Sequence, residues 1–539
     1  MNTFRKVASR FALGGVLGGA FLARLLVALQ DPKTLLALNI PDDAFYYFKI
    51  AENVASGRGS SFDGLHPTNG YQPLWLGLLT PLFFAAPERA DLAVTLVLVG
   101  QAFLDVLTAF LVYLLARAIL VDRGWAILAC ALYAFNPHAV LYQVNGMETA
   151  LTTLLGVIAL YFYLPLETLS PETSKAQVRF AVACGLLMLA RTDSVFLCLV
   201  LFGALGAREW KQHASLRQTV RMVFVAASLL APWLIWSYAR FHQWVQVSGL
   251  AMPWVIRHNL RTSWIELGLT LFGNELTDHW PKLSCLLGGY FVLLGVSWWL
   301  LRRPGTRPDV AEKGVGVLSL AWLGLFITVA FHCWARLYVR PWYSAPFLVL
   351  NALTMAWAGR RIARLSGAFR GVALVMGVIF AAYVVMGVST VRKQIYPWQV
   401  EMARAAEWTN LHTEPAARIG AFNAGIVSYF SRRTVVNLDG VVNNSAYDAL
   451  RARRLHDYLL ENSIEYLADF QYSVEVDYAD FWGNSRPGAA LAPVADFPVG
   501  GSKWQGSLVQ VYKVTPSPAV PPTKMGPQVS TPTIRNPSP

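Results

Sequence analysis

Charge is scarce in this chain. Only 14% of its 539 residues are Asp, Glu, Lys or Arg, while 55% are hydrophobic and the mean hydropathy is +0.41. A soluble domain carries roughly one quarter charged residues, so an ordinary soluble enzyme is excluded. Several apolar runs approach the ~20 residues needed to cross a bilayer. Cysteine is scarce too. Cys130, Cys184, Cys198, Cys285 and Cys333 all lie in or at the ends of apolar runs, and none shows metal-ligand spacing. The hydrophilic C-terminal region has no cysteine, which excludes a disulfide framework there. All five read as small buried apolar residues. The formal net charge of +13 invites a nucleic-acid partner. No nucleic-acid motif is present, however, and the basic residues cluster in short loops between apolar runs, which is the positive-inside pattern.

What is present is a series of apolar segments punctuated by a few ionisable residues. Arg5, Lys6 and Arg10 precede an apolar run over about 11–29. No small-residue cleavage site is convincing there, so the run reads as a retained signal anchor with a cytoplasmic N-terminus. A polar loop follows at 31–73. Inside it, Asp42-Asp43 stands before an aromatic helical run over about 44–56, which either carboxylate can cap. Such a helix suits the membrane interface, and Gly57-Arg58-Gly59 ends it. Further spans are expected near 92–120, 125–141, 149–164, 180–205 as a hairpin broken at Arg191-Thr192-Asp193, 222–238, 284–301, 315–333, 343–358 and 372–391. The segment at 74–86 is too short to count as a full crossing.

Counting eleven spans keeps every basic loop on the cytoplasmic side and brings the C-terminal region out on the opposite face. The expected fold is an α-helical polytopic membrane protein of about 11 spans, covering 1–391, with a small soluble α/β domain at 392–514. Strands are expected at 418–422, 434–439, 464–470 and 507–512, with helices at 400–410 and 446–460. The Pro/Ser/Thr-rich end, 515–539, reads as a disordered tail.

Ionisable residues at membrane depth are costly and mark function by default. Under this topology Asp42, Asp43, Glu148, Arg191, Asp193, Arg336 and Arg340 all fall at the non-cytoplasmic ends of spans. Each has a plainer alternative. One aspartate caps a helix and the other is solvated; Glu148 sits at a helix start; Arg191 and Asp193 neutralise each other. Arg336 and Arg340, among Trp and Tyr residues, snorkel at an interface. Two neighbouring carboxylates also separate in pKa, which lets one act as a general base. In the C-terminal region, Gly420-Ala421-Phe422-Asn423-Ala424-Gly425 and Asn437-Leu438-Asp439-Gly440 are strand-to-turn junctions. Structural turns are the first reading there and acceptor contact the second.

The ordering of these segments resembles a known family. Asp42-Asp43-Ala44-Phe45 with Gly70-Tyr71-Gln72-Pro73-Leu74-Trp75, then Gly146-Met147-Glu148-Thr149, then Leu189-Ala190-Arg191-Thr192-Asp193 are similar to the C-type glycosyltransferase superfamily. These are membrane enzymes that use polyprenyl-phosphate-linked sugars, and the likeness is to the bacterial arabinofuranosyltransferase-like subgroup. It covers roughly residues 10–390. The Trp-Trp-Asp signature of the oligosaccharyltransferase branch is absent. The resemblance implies an inverting hexosyl- or pentosyltransferase of cell-envelope synthesis, in the bacterial inner membrane. Its partners would be a polyprenyl-phosphate sugar and a glycan or glycolipid hydroxyl. It implies Asp42 as the base with Asp43 in support, and Arg336, Arg340, Tyr343 and His332 around the donor phosphate. Glu148, Arg191, Asp193, His66 and Tyr71 would position substrate. No cofactor is required, although an acidic pair leaves room for a divalent cation. A transporter or flippase of an anionic or lipid-linked substrate is the rival class, with the same charges lining its pathway.

Overall fold

The computed structural model describes residues 2–87, 89–167, 173–212, 215–259, 311–335, 340–366, 369–483, 485–500 and 507–515. The expected span at 284–301, Cys285, Arg336 and the expected tail beyond residue 515 lie outside the described residues. The first part of the chain is helical: α1 (Asn2–Ala28), α2 (Pro32–Leu38), α3 (Asp42–Ala55), α4 (Pro73–Ala85), α5 (Ala90–Leu120), α6 (Arg123–Ala134), α7 (Pro137–Tyr142) and α8 (Thr149–Tyr163). It continues with α9 (Thr173–Ala190), α10 (Val195–Lys211), α11 (Arg217–Phe241), α12 (Ser248–Asn259), α13 (Ala311–Ala335), α14 (Ala345–Ser366) and α15 (Phe369–Lys393).

Four of the described helical segments are long and apolar enough to cross a membrane: Phe11–Ala28, Ala90–Leu120, Thr149–Leu166 and Arg217–Phe241. Shorter apolar segments are Pro73–Ala85, Arg123–Ala134, Gly316–His332 and Leu374–Ser389. The expected continuous span at 125–141 is broken in two. Asn136 accepts hydrogen bonds from the amides of His138 (3.0 Å) and Ala139 (3.3 Å), and Pro137 occupies the first position of α7. That is a helix start, and it ends α6.

The helices are tied by polar contacts as well as packing. Arg24 on α1 pairs with Asp105 on α5, both with 0% exposure. Tyr133 of α6 donates to the other Asp105 oxygen, and Arg24 Nη1 donates to the carbonyl of Ala134 at 2.8 Å. Three helices are pinned at one point. Removing either charge would strand the other in an apolar interior, at a cost of about 3–5 kcal/mol.

After residue 393 the chain forms a five-stranded sheet. Its elements are α16 (Gln399–His412), β1 (Arg418–Ala421), α17 (Ala424–Ser431), β2 (Thr434–Asn437), α18 (Asn444–Arg451), α19 (Leu455–Glu461), β3 (Ile464–Phe470), α20 (Pro487–Ala490), β4 (Leu491–Pro498) and β5 (Leu508–Val514). The strand order is β2-β1-β3-β5-β4, with the first three parallel and the other two pairings antiparallel. The helix expected over 446–460 is two helices, because the chain turns at Arg453 with φ +51°. The sequence pattern gives little sign of β4. Pro493 and Pro498 lower its strand signal, and it survives as an edge strand paired to β5 alone.

The sheet and the helical part meet at α3. α17 packs on α3, and the amides of Ile395 and Tyr396 donate to the Ala37 carbonyl just ahead of it. Gln399 of α16 donates to the carbonyls of Leu36 and Ile40, 2.7 Å each, and accepts from the Asp42 amide at 2.8 Å. α3 begins on the acidic pair itself.

Candidate active site

The first turn of α3 holds both aspartates, with Pro41 at the capping position and no side-chain cap. Neither carboxylate therefore caps its own helix, which corrects the sequence expectation. Asp42 caps a different one. Its Oδ1 accepts from the Ile426 amide at 2.6 Å and its Oδ2 from the Gly425 amide at 3.3 Å, both in the first turn of α17. Asn423, at the capping position of α17, makes no side-chain cap of its own. Instead it donates to Asp469 at 2.8 Å. Burial pushes the Asp42 carboxyl up to about 7, with the two amides opposing and Asp43 adding to the rise.

Asp43, one residue on, points elsewhere and lines a cavity of about 550 Å³ between the helices and the sheet. Burial raises its carboxyl above the ordinary range, and the guanidinium of Arg340 pulls it back. The same cavity is lined by Tyr71, Glu148, Arg191, Asp193, His332 and Tyr343, which the sequence singled out. Arg191 organises that wall. It donates to Glu148 Oε1 at 2.9 Å and to both oxygens of Asp193 at 2.9 and 3.1 Å. Its guanidinium carbon lies 3.7 Å from the centre of the Tyr343 ring. His332 Nε2 is 2.9 Å from Asp193 Oδ2, while its Nδ1 has no hydrogen-bond partner among the described residues. A fork engaged by two carboxylates and stacked on a ring is a fixed strut rather than a loose cation.

Local backbone explains how Glu148 gets there. Gly146 has φ +81°, and a Cβ at this position would lie 2.7 Å from the Phe48 ring and 2.9 Å from the Ala44 side chain. Only glycine fits so close a turn. Gln101 accepts from the Gly146 amide at 2.9 Å and Trp75 Nε1 donates to the Gly146 carbonyl at 3.0 Å. On the next wall, Gln72 Oε1 accepts from the amide and hydroxyl of Thr192 at 3.1 and 3.0 Å. Gln246 donates to the same hydroxyl at 2.6 Å.

Some sequence assignments fall outside this arrangement. His66 does not line the cavity; its Nδ1 meets Asp63 Oδ2 at 2.7 Å within the first loop. Tyr71 lines the cavity, with its hydroxyl 2.7 Å from the Ser60 hydroxyl. Asp42 is drawn away by α17, and Arg336 lies outside the described residues. The sheet adds Asn423 and Asp439, from the two strand-to-turn junctions whose second reading is acceptor contact, and Asp477. Asp477 carries no local sequence signal. Burial pushes Asp439 up to about 8 and Asp477 to about 6, with Asp43 and Asp42 adding to the first and Asp469 to the second. Among the described residues no group of three His, Cys, Asp or Glu side chains is arranged to hold a metal ion.

Residues 391–512 match a family described as a domain of unknown function (DUF8728). No curated protein matches the chain. Solved structures do. ArnT from Cupriavidus metallidurans in the apo state superposes with a TM-score of 0.54 at 11% identity, covering 94% of this chain and 98% of that one. The same protein bound to undecaprenyl phosphate gives 0.52 at 12% identity, with equal coverage. The archaeal oligosaccharyltransferase AglB from Archaeoglobus fulgidus, in complex with an inhibitory peptide and a dolichol-phosphate, gives 0.53 at 12% identity over 90% of this chain and 73% of that one. Identity this low carries architecture and not individual residues. The chain shares the overall fold of ArnT and AglB, in agreement with the resemblance drawn from the order of its acidic and basic segments.

Proposed function

We propose that this protein transfers a sugar from a polyprenyl-phosphate donor to a hydroxyl acceptor, with inversion at the anomeric carbon. The observation that supports this reading is the company Asp43 keeps. A carboxylate free of helix-capping duty shares one cavity with Arg340, Tyr343 and His332, which suit an anionic leaving group. Asp43 takes the proton of the acceptor hydroxyl as its oxygen bonds to the anomeric carbon. The bond from that carbon to the donor phosphate breaks, and the polyprenyl phosphate leaves beside Arg340. A phosphate leaving group is already anionic and needs no general acid. Arg191, Glu148 and Asp193 hold the wall in shape, and Asp42 positions Asp43 by tying the first turn of α3 to α17.

The sugar is a hexose or a pentose, arabinofuranose among them, and the acceptor a glycan or glycolipid of the cell envelope. The protein sits in the bacterial inner membrane with about eleven crossings. Its N-terminus is cytoplasmic, and residues 392–514 lie outside as a domain of their own. The test is transfer by the purified protein from a polyprenyl-phosphate sugar in detergent. Asp43→Asn is expected to lower kcat by about 10²- to 10⁴-fold, the usual contribution of a general base. Full transfer by that variant would refute the assignment.

A further inference from the structure

Acidic residues line the cavity on both sides, whereas its described arginines lie on one. Among the described residues its two arginines, Arg191 and Arg340, come from the helical part, together with Asp43, Glu148 and Asp193. Among the described residues the sheet supplies Phe422, Asn423, Asp439, Val441, Val442, Ser473, Asp477 and Tyr478, with no basic residue among them. This wall has a topological origin. β1 lies between β2 and β3, all parallel, so the chain leaves β1 for one neighbour and later crosses to the other. The crevice beyond the carboxyl ends of strands at such a reversal is where α/β sheets take ligands. Here the segments following all three strands open into the membrane-side cavity.

The wall is also rigid. Asp469, at the end of β3, accepts from the amides of Phe422 and Asn423 at 2.7 and 2.8 Å and so clamps the β1 turn. Asp439 Oδ1 accepts from the Val441 amide at 2.9 Å. The Phe422 and Tyr478 rings stack at 3.9 Å and 15°.

From this arrangement we infer that the sheet wall is a subsite for an uncharged sugar, holding the acceptor by its hydroxyls and turning one of them toward Asp43. The inference rests on the catalytic reading above and adds the acceptor class. Carboxyl, amide and hydroxyl side chains offer both donors and acceptors, which matches a sugar hydroxyl in either role. A phosphate or carboxylate on the acceptor would face the Asp477 carboxylate, with no basic residue beside it on the described part of this wall, and be repelled. Burial keeps Asp439 largely protonated near neutrality, so this wall does not call for a cation either.

The test is equilibrium binding, which needs no turnover. The full-length protein in nanodiscs is titrated with a panel of neutral disaccharides and their phosphorylated counterparts, followed by saturation-transfer NMR. At least one neutral disaccharide is expected to bind, with its phosphorylated form about tenfold weaker or worse. Asp439→Ala and Asp477→Ala are each expected to weaken it by about tenfold, the loss of one hydrogen bond to a buried partner. Asp477 is only partly buried, so its variant keeps the test readable if Asp439→Ala fails to fold. The proposal is overturned if no neutral disaccharide binds up to its solubility limit. It is overturned equally if phosphorylated forms bind as well, or if Asp477→Ala keeps wild-type affinity. Sugar binding alongside full transfer by Asp43→Asn would sink the catalytic reading alone. Loss of transfer in that variant without sugar binding would sink the subsite alone.

Discussion

Truncating Asp42 to alanine should loosen one helix that lies about 380 residues away in the chain. α17 is eight residues long and has no cap from its own N-terminal neighbour, so Asp42 supplies it. Alanine keeps the Asp42 backbone amide on Gln399 and removes only the two carboxylate contacts. Two first-turn amides then lose their acceptor. A cap is worth about 1 kcal/mol, and a buried donor left unsatisfied costs about 1–3 kcal/mol. With about 1.4 kcal/mol per decade, local opening of the first turn of α17 becomes about 10- to 100-fold easier. Hydrogen–deuterium exchange by mass spectrometry reads this directly in a peptide spanning residues 422–431. Exchange there should accelerate by that factor, while the Val509–Val511 stretch of β5, at the far side of the sheet, is unchanged. Gly425→Ala should give the same signature by a different route, because a Cβ on Gly425 would collide with the Asp42 carbonyl oxygen. If Asp42→Ala leaves exchange in α17 at the wild-type rate, Asp42 is not a cap. The division of labour between the two aspartates then fails with it.

Two further outcomes follow from the same geometry. The Asp439 carboxyl is raised from 3.8 to about 8 in the folded protein, so the folded state holds this proton more tightly than the unfolded one. Its contribution to stability is complete below about pH 4 and is lost as pH rises through 8; Asp439→Asn should flatten that part of a plot of Tm against pH from 5 to 9. An equally steep decline in the variant would argue against burial as the cause. For topology, a single cysteine introduced as Gly500→Cys in an otherwise cysteine-free background should react with an impermeant reagent from the extracytoplasmic side; labelling only from the cytoplasm would overturn the eleven-span arrangement.

Much of the architecture was legible because it depends on short-range chemistry. Residues 464–470 form β3 as their apolar pattern implied, and a helix starts at Asp42-Asp43 because the aromatic period behind them is helical. α9 and α10 part at Arg191, where Arg191-Thr192-Asp193 puts two charged residues and a threonine into an otherwise apolar run. Where signals competed, neighbours decided. The edge strand β4 carries two prolines and pairs on one side only, so no local pattern announced it. Arg24 and Asp105 sit inside apolar runs, and each looks like a defect until the other is found across the helix interface.

The sequence by itself determined that this is a membrane protein of helices with a small sheet near its C-terminus. It also determined that an acidic pair opens the first polar loop. Composition and periodicity are properties of a chain read a few residues at a time, and those features need nothing more. Only the tertiary structure decided which aspartate is free. Asp42 and Asp43 are adjacent and chemically identical, and what separates them is the first turn of α17, brought against one of them from the far end of the chain. The same is true of the Arg191–Glu148 contact, across 43 residues, and of Asp439 beside Asp43 in one cavity. A side chain's role is set by what it can reach, and reach is a property of the fold.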